Sequence, residues 1–468
     1  MFIPLLYIKF RDTYAMRLIV LLLSFLLLFP FLSCSDAKVS DPILGSKPTL
    51  FSTSITNGDQ NVAYGTKTIT LTFDQNIVLT NKDAVLLNGQ KIAQISAAFK
   101  ELTFSVELTA GTSYTLQVIG ESIKGPTGLF VDAFTISFKT LALPSNTIKT
   151  NLVATNASKE AKNVYNFLRE NFGKKSISGT MANVSWNTNE AEWINKHTGK
   201  YPALNGFDLV HLYASPANWI NYNETKVIED WWNANGLVTI MWHWNVPVSE
   251  GNSNYQFYTK DTAFDISKAV VEGTYENTVV KADLEKAANI LLLLKAKNIP
   301  ILWRPLHEAS GKWFWWGAKD AVSCKKLWIM MFDYFESKGL NNLIWVWTTQ
   351  TNDSDWYPGN QYVDIVGCDL YDKMNVATIL SSYKYIQTTY SDKIVTLSEF
   401  GSIADFSSQW NSGATWSWIM PWYDYNRTEI VNSANFNETT HQHANIAYWN
   451  NMFSSANVIT RDKMPNLK

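Results

Sequence analysis

Between Ile301 and Gly317 the chain reads ILWRPLHEASGKWFWWG, which places an arginine, a histidine, a glutamate and four tryptophans in seventeen residues. A second glutamate, Glu399, follows Glu308 at a distance of 91 residues, in IVTLSEFG. Two glutamates, each set among apolar and aromatic side chains, suit the cleavage of an acetal. One carboxylic acid protonates the leaving oxygen while a carboxylate attacks the anomeric carbon, provided the two stand about 5–5.5 Å apart. The acid must hold a proton near neutral pH, which an apolar setting of Trp313, Trp315 and Trp316 would favour. The nucleophile must stay ionised and oriented, and Arg304 and Tyr371 are the candidate donors to it. Indoles also stack on the flat faces of pyranose rings. The same stretch could therefore hold a sugar and help to cut it, with Arg304 and His307 as the polar floor.

Composition agrees with that chemistry and excludes others. Twenty Trp and twenty-one Tyr are compatible with sugar binding, although a large aromatic core would account for about half of them. A net charge of −2 with no basic stripe excludes nucleic acid as a partner. Cys324 and Cys368 are too few for a disulfide framework and read as buried small apolar residues. His441 and His443 stand two apart on a loop with no third ligand nearby, so neither metal nor cofactor is expected.

The elements that must position these residues follow from the hydrophobic pattern. Eight apolar runs alternate with helical stretches: 176–181, 201–209, 237–244, 299–308, 343–349, 363–371, 394–401 and 415–423. Strands buried on both faces, each followed by a helix, predict a (β/α)8 barrel over 144–468. An open doubly wound sheet would show a glycine-rich turn after its first strand, and SISGTMANVSW has none. In a barrel the C-terminal ends of the strands face the active-site mouth. Polar and aromatic residues gather at those ends: His243 at strand three, Arg304, His307 and Glu308 at strand four, Asp369 and Tyr371 at strand six, Glu399 at strand seven, and Trp416 and Trp418 at strand eight. Strands four and seven face each other across the mouth, which would bring the two glutamates together.

The preceding part of the chain is different in kind. Residues 48–143 alternate at period two between turn signals and predict an all-β sandwich, which resembles a bacterial immunoglobulin-like domain and is expected to act as a spacer. Residues 35–47 read as a polar tether. Residues 1–34 read as a targeting segment, with an alternative start at Met16 and an apolar run that ends at Ser33-Cys34. That order resembles a bacterial lipoprotein signal, although Phe31 stands where such signals usually carry Leu. The resemblance implies acylation of Cys34 and a membrane-anchored lipoprotein, at the bacterial outer membrane or cell surface.

From Ser176 onward the chain resembles glycoside hydrolase family 26. RPLHEASGKWFWWG is similar to that family's acid/base motif, LSEFG to its nucleophile motif, and WVWTTQTNDSDWYPGNQYVDIVGCDLYD to the stretch between them. The resemblance implies a cofactor-free endo-β-1,4-mannanase acting with retention, and a monomer is expected. Glu308 would be the acid/base and Glu399 the nucleophile, with His307 and Tyr371 in support and Trp313 stacking on the sugar at the cleavage point. His243 and Trp418 or Trp416 would line neighbouring subsites. Two rival readings remain: the same barrel acting on mixed-linkage glucan or xylan, and a non-catalytic surface glycan-binding protein. The second would lack one of the two glutamates.

Overall fold

A computed structural model describes residues 45–468 apart from 61, 63, 64, 110, 141–147, 184, 185 and 426–429. The expected signal, Cys34 and most of the tether lie outside the described residues. The chain divides into two compact units at residues 141/142.

In the first unit two antiparallel four-stranded sheets enclose one core. One sheet orders the strands Leu50–Thr53, Gly65–Phe73, Glu101–Leu108 and Ile95–Ala98, and the other orders Phe134–Lys139, Ser113–Val118, Val85–Leu87 and Gln90–Lys91. The period-two pattern states the reason directly. Ile69, Leu71 and Phe73 point into the core against Leu102, Phe104, Leu116 and Phe138, while the residues between them face outward.

The second unit is a closed parallel barrel. Its strands are β1 (Ser176–Met181), β2 (Leu204–Asp208), β3 (Leu237–Met241), β4 (Ile301–Arg304), β5 (Leu343–Thr349), β6 (Ile365–Tyr371), β7 (Ile394–Gly401) and β8 (Trp418–Pro421). Each pairs with the next, and β1 pairs with both β8 and β2, which closes the ring. Nearly every strand residue is buried, as expected where helices cover the outside and packed side chains fill the inside. Gly206 on β2 makes that filling possible, because a Cβ there would stand 2.7 Å from the Met181 sulfur and 3.0 Å from the Met420 sulfur. The outer helices start where the sequence supplies a cap: Ser158, Thr274, Asp320, Asn375, Asp405 and Asn445 each accept a backbone N–H from the first turn of the helix they precede.

Five apolar runs are longer than the strands they hold, three of them at residues expected in the site. β4 ends at Arg304 rather than Glu308, because Pro305 has no N–H to continue the ladder. β3 ends at Met241, so Trp242 to Asn245 already belong to the mouth. β8 begins only at Trp418.

Candidate active site

Glu308 sits in the turn that follows β4, and its backbone is strained there. Leu306, Glu308 and Lys312 all have positive φ, at 47°, 53° and 64°. Non-glycine residues adopt that region only where their surroundings impose it. Here Asp353 anchors the turn through Ser310. The Ser310 hydroxyl donates to Asp353 Oδ2 at 2.8 Å, and the Thr349 hydroxyl and the Gln350 N–H donate to the same carboxylate at 2.5 and 2.9 Å. Trp316 adds a bond from its Nε1 to the His307 carbonyl at 2.9 Å.

Glu399 arrives by another device. Along β6 and β7 Cys368 pairs with Leu397 and Asp369 with Glu399, so Ser398 is the extra residue of a bulge. The bulge puts the Glu399 carboxylate beside Asp369, and bulges of this kind commonly re-aim a side chain at a site. Arg304 then ties the group together. It donates to Glu399 Oε2 at 2.6 Å, to Asp369 Oδ2 at 2.9 Å and to the Thr348 hydroxyl at 3.2 Å. The Tyr371 hydroxyl donates to Glu399 Oε1 at 2.5 Å. Both oxygens of Glu399 are thus held, and Glu308, Asp369 and Glu399 bring carboxylate oxygens within 4.8 Å of one another. That spacing is on the short side of the two known carboxyl separations, the side of double displacement, and leaves no room for a water between the pair.

The charges sort themselves accordingly. Burial, and then the charges of Asp369 and Glu399, push the Glu308 carboxyl up to about 9. It carries its proton at neutral pH. The Trp313 Nε1–H donates to Glu308 Oε2 at 3.0 Å and works in the opposite direction, so the neighbouring carboxylates rather than the indoles reinforce burial. Burial opposes the Arg304 cation, yet Asp369 and Glu399 hold it charged. Burial raises Asp369 to about 6. Burial and the Glu399 charge raise the Tyr371 phenol, so that it stays a donor. The three carboxylates are close enough to share a hard cation, but Arg304 already supplies a positive charge to two of them.

The expected residues do not all share one role. His243 lies at the cleft with its Nδ1 against Asp208 Oδ2 at 2.5 Å and its backbone N–H on Asp208 Oδ1 at 2.9 Å, a pairing that fixes the ring. His307 packs edge-on against it at 4.6 Å, and burial, followed by the neighbouring His243 and Arg304, drives its pKa well down, so the ring is neutral. Trp313 is exposed at the rim. Trp315 and Trp316 are fully buried and belong to the core. Trp418 differs from expectation: it opens β8 at the end away from the mouth and is buried, as is Trp416 before it. Trp422, just past the other end of β8, lines the cleft instead. The sequence reading also missed Asp208, Phe257, Phe314 and Tyr425. Asp208 closes an apolar strand with a carboxylate, which is a usable signal, whereas nothing local marks Phe257.

The result is a cleft of about 900 Å³ at the barrel mouth, walled by aromatic rings and floored by one protonated and one clamped carboxyl group. A (β/α)8 barrel with that pair has the apparatus of a glycoside hydrolase. The model for glycosyl hydrolase family 26 matches residues 153–451, and the chain belongs to that family. The model for a bacterial Ig-like domain matches residues 45–140. Mannan endo-1,4-beta-mannosidase B of Piromyces sp is 32% identical over 355 residues, which cover 73% of this chain and 60% of that enzyme. The GH26 domain of a Prevotella bryantii endo-beta-mannanase/endo-beta-glucanase superposes with a TM-score of 0.62 at 37% identity, covering 68% of this chain and 99% of that one. A beta-mannanase from a symbiotic protist of the termite Reticulitermes speratus, complexed with gluco-manno-oligosaccharide, gives 0.58 at 34% identity, with 68% and 99% covered.

Proposed function

We propose that this protein is a retaining endo-β-1,4-mannanase. The observation that carries the reading is the carboxylate pair, in which Glu308 is protonated and Glu399 is held on both oxygens, within 4.8 Å of each other. In the first step a Glu399 oxygen bonds to the anomeric carbon as the glycosidic C–O bond breaks, and the Glu308 proton passes to the departing oxygen. Forming the ester removes the Glu399 charge, one of the causes that keeps Glu308 protonated. Glu308 is then able to accept a proton from water. That water attacks the same carbon, the bond to Glu399 breaks, and the configuration is retained. The mannan preference is supported by the names of the relatives and by the bound ligand of the termite-symbiont structure. The test is release of oligosaccharides from linear mannan and glucomannan against barley glucan and xylan, with Glu399→Ala alongside. Loss of turnover by roughly 10³-fold or more with mannan binding retained supports the enzyme. Exclusive action on glucan or xylan would replace the substrate, and binding of mannan without hydrolysis would leave a glycan-binding protein.

We further propose that the chain is acylated at Cys34 and acts as a monomer held at a bacterial outer membrane, with the sandwich as a spacer. The apolar run ending at Ser33-Cys34 supports this reading. Cys34→Ser should move the protein from the membrane fraction to the soluble one and abolish radiolabelling by palmitate; unchanged partition would reject the anchor.

A further inference from the structure

All twenty tryptophans lie among the described residues, and of these only Trp219 and Trp313 are exposed, at 57% and 43%. Trp313 belongs to the cleft; Trp219 does not line it. Such an indole leaves apolar surface in water that a stacked ring would cover.

Trp219 is held rather than loose. Ala217 and Ile220 each donate a backbone N–H to the other's carbonyl, at 2.8 and 3.1 Å, closing a hairpin with Asn218 and Trp219 at its tip. The loop is pinned beneath by the Tyr222 hydroxyl, which donates to the Asp208 carbonyl at 3.0 Å at the end of β2. The His211 ring braces the indole at 80° with centroids 4.7 Å apart. His211 directly follows Val210, which lines the catalytic cleft. The indole therefore stands on the mouth side of the barrel.

Beside it lies a hollow of about 500 Å³. Its polar side chains are Asn218, Asn221, Glu224 and Lys226. Amides and a carboxylate suit hydroxyl groups. Lys226, the one cation among the lining residues, is already paired with both oxygens of Asp230 at 2.7 and 2.8 Å, which disfavours an anionic ligand.

We propose that Trp219 is the platform of a remote sugar subsite, which takes a neutral pyranose ring of the polysaccharide chain whose other rings fill the cleft. This rests on the polysaccharide reading of the cleft. Rigid placement at a hairpin tip lowers the ordering cost of such a contact.

The test compares wild type, Trp219→Ala and Trp219→Phe on linear mannan and on mannotetraose, which has only four rings to share among the subsites. For Trp219→Ala, kcat/KM on the polymer should fall roughly three- to tenfold, through KM. Mannotetraose kinetics should change by less than about twofold, and Trp219→Phe should recover part of the polymer loss. Unchanged polymer kinetics would overturn the subsite. Equal losses on both substrates would also overturn it, since the indole would then merely shape the cleft. Should wild type cleave a different β-glycan, the mannan assignment fails, and the same polymer-to-oligomer ratio on that glycan decides the subsite separately. If Trp219→Ala lowers the melting temperature, the ratio for Trp219→Phe decides.

Discussion

At the residue scale, Glu308 is the group whose state governs the rest. Its carboxyl is raised by burial and by two carboxylates, so the folded protein binds its proton more tightly than the unfolded chain does. The stabilising side of this linkage is complete below the ordinary carboxylate pKa, and it is lost as pH rises through the raised folded value. Glu308→Gln is neutral at every pH. Its melting temperature relative to wild type should therefore climb between pH 5 and pH 8; a difference that stays flat by calorimetry would contradict the assignment. In wild type, kcat/KM on mannan should hold through neutrality and fall as pH rises through the raised value, and Glu308→Gln should lose that limb. Arg304 carries a different risk. Removing it leaves Asp369 and Glu399 buried without a cation, so Arg304→Met should cost roughly 3–5 kcal/mol in urea unfolding. Glu308, Glu399, Arg304 and Tyr371 were legible in the sequence because charged and hydrogen-bonding groups beside apolar runs need a reason to be there. The role of Asp369 was not, since which carboxylate shares an arginine depends on a bulge.

At the element scale, the turn after β4 and the bulge in β7 do the positioning. Asp353 anchors the Glu308 turn through Ser310 and reaches nothing that reacts. Asp353→Ala should lower kcat on mannan by roughly ten- to a hundredfold, while an aryl mannoside with a good leaving group, which needs little acid assistance, loses far less. Equal losses on both would show that the mutation had disturbed Glu399 as well. The number and order of the strands could be read from eight apolar runs, but their ends could not. Large apolar side chains such as Leu306 and Trp416 continue past the last ladder bond of β4 and before the first of β8, and this is why Trp418 was expected in the cleft while Trp422 occupies it. Positive φ at Leu306 and Glu308 leaves no mark in the sequence, because neither residue is glycine.

At the scale of the whole molecule, each unit has its own apolar core, and the division at 141/142 separates them. The barrel includes the strap that precedes its first helix. Within it the Lys149 N–H donates to the Asp392 carbonyl at 3.1 Å, the Val153 N–H to Asp364 Oδ1 at 2.8 Å, and the Ser158 N–H to the Asn341 carbonyl at 2.8 Å. Asp364 is fully buried, and burial raises it to about 7 against the two backbone donors, Trp345 and Val153, that favour its charge. A fragment 142–468 keeps both donors. It should fold alone and cleave mannotetraose with kcat/KM within about twofold of the full chain. A fragment 159–468 loses the Val153 donor and the Lys149 carbonyl that accepts from the Tyr165 hydroxyl. Orphaning those groups should cost roughly 1–3 kcal/mol each, read as a lower melting temperature. The penalty on Asp364 should also grow as pH rises through its folded value, because the missing donor served the ionised form. A longer fragment as unstable as the shorter one would mean instead that the barrel depends on residues before 142.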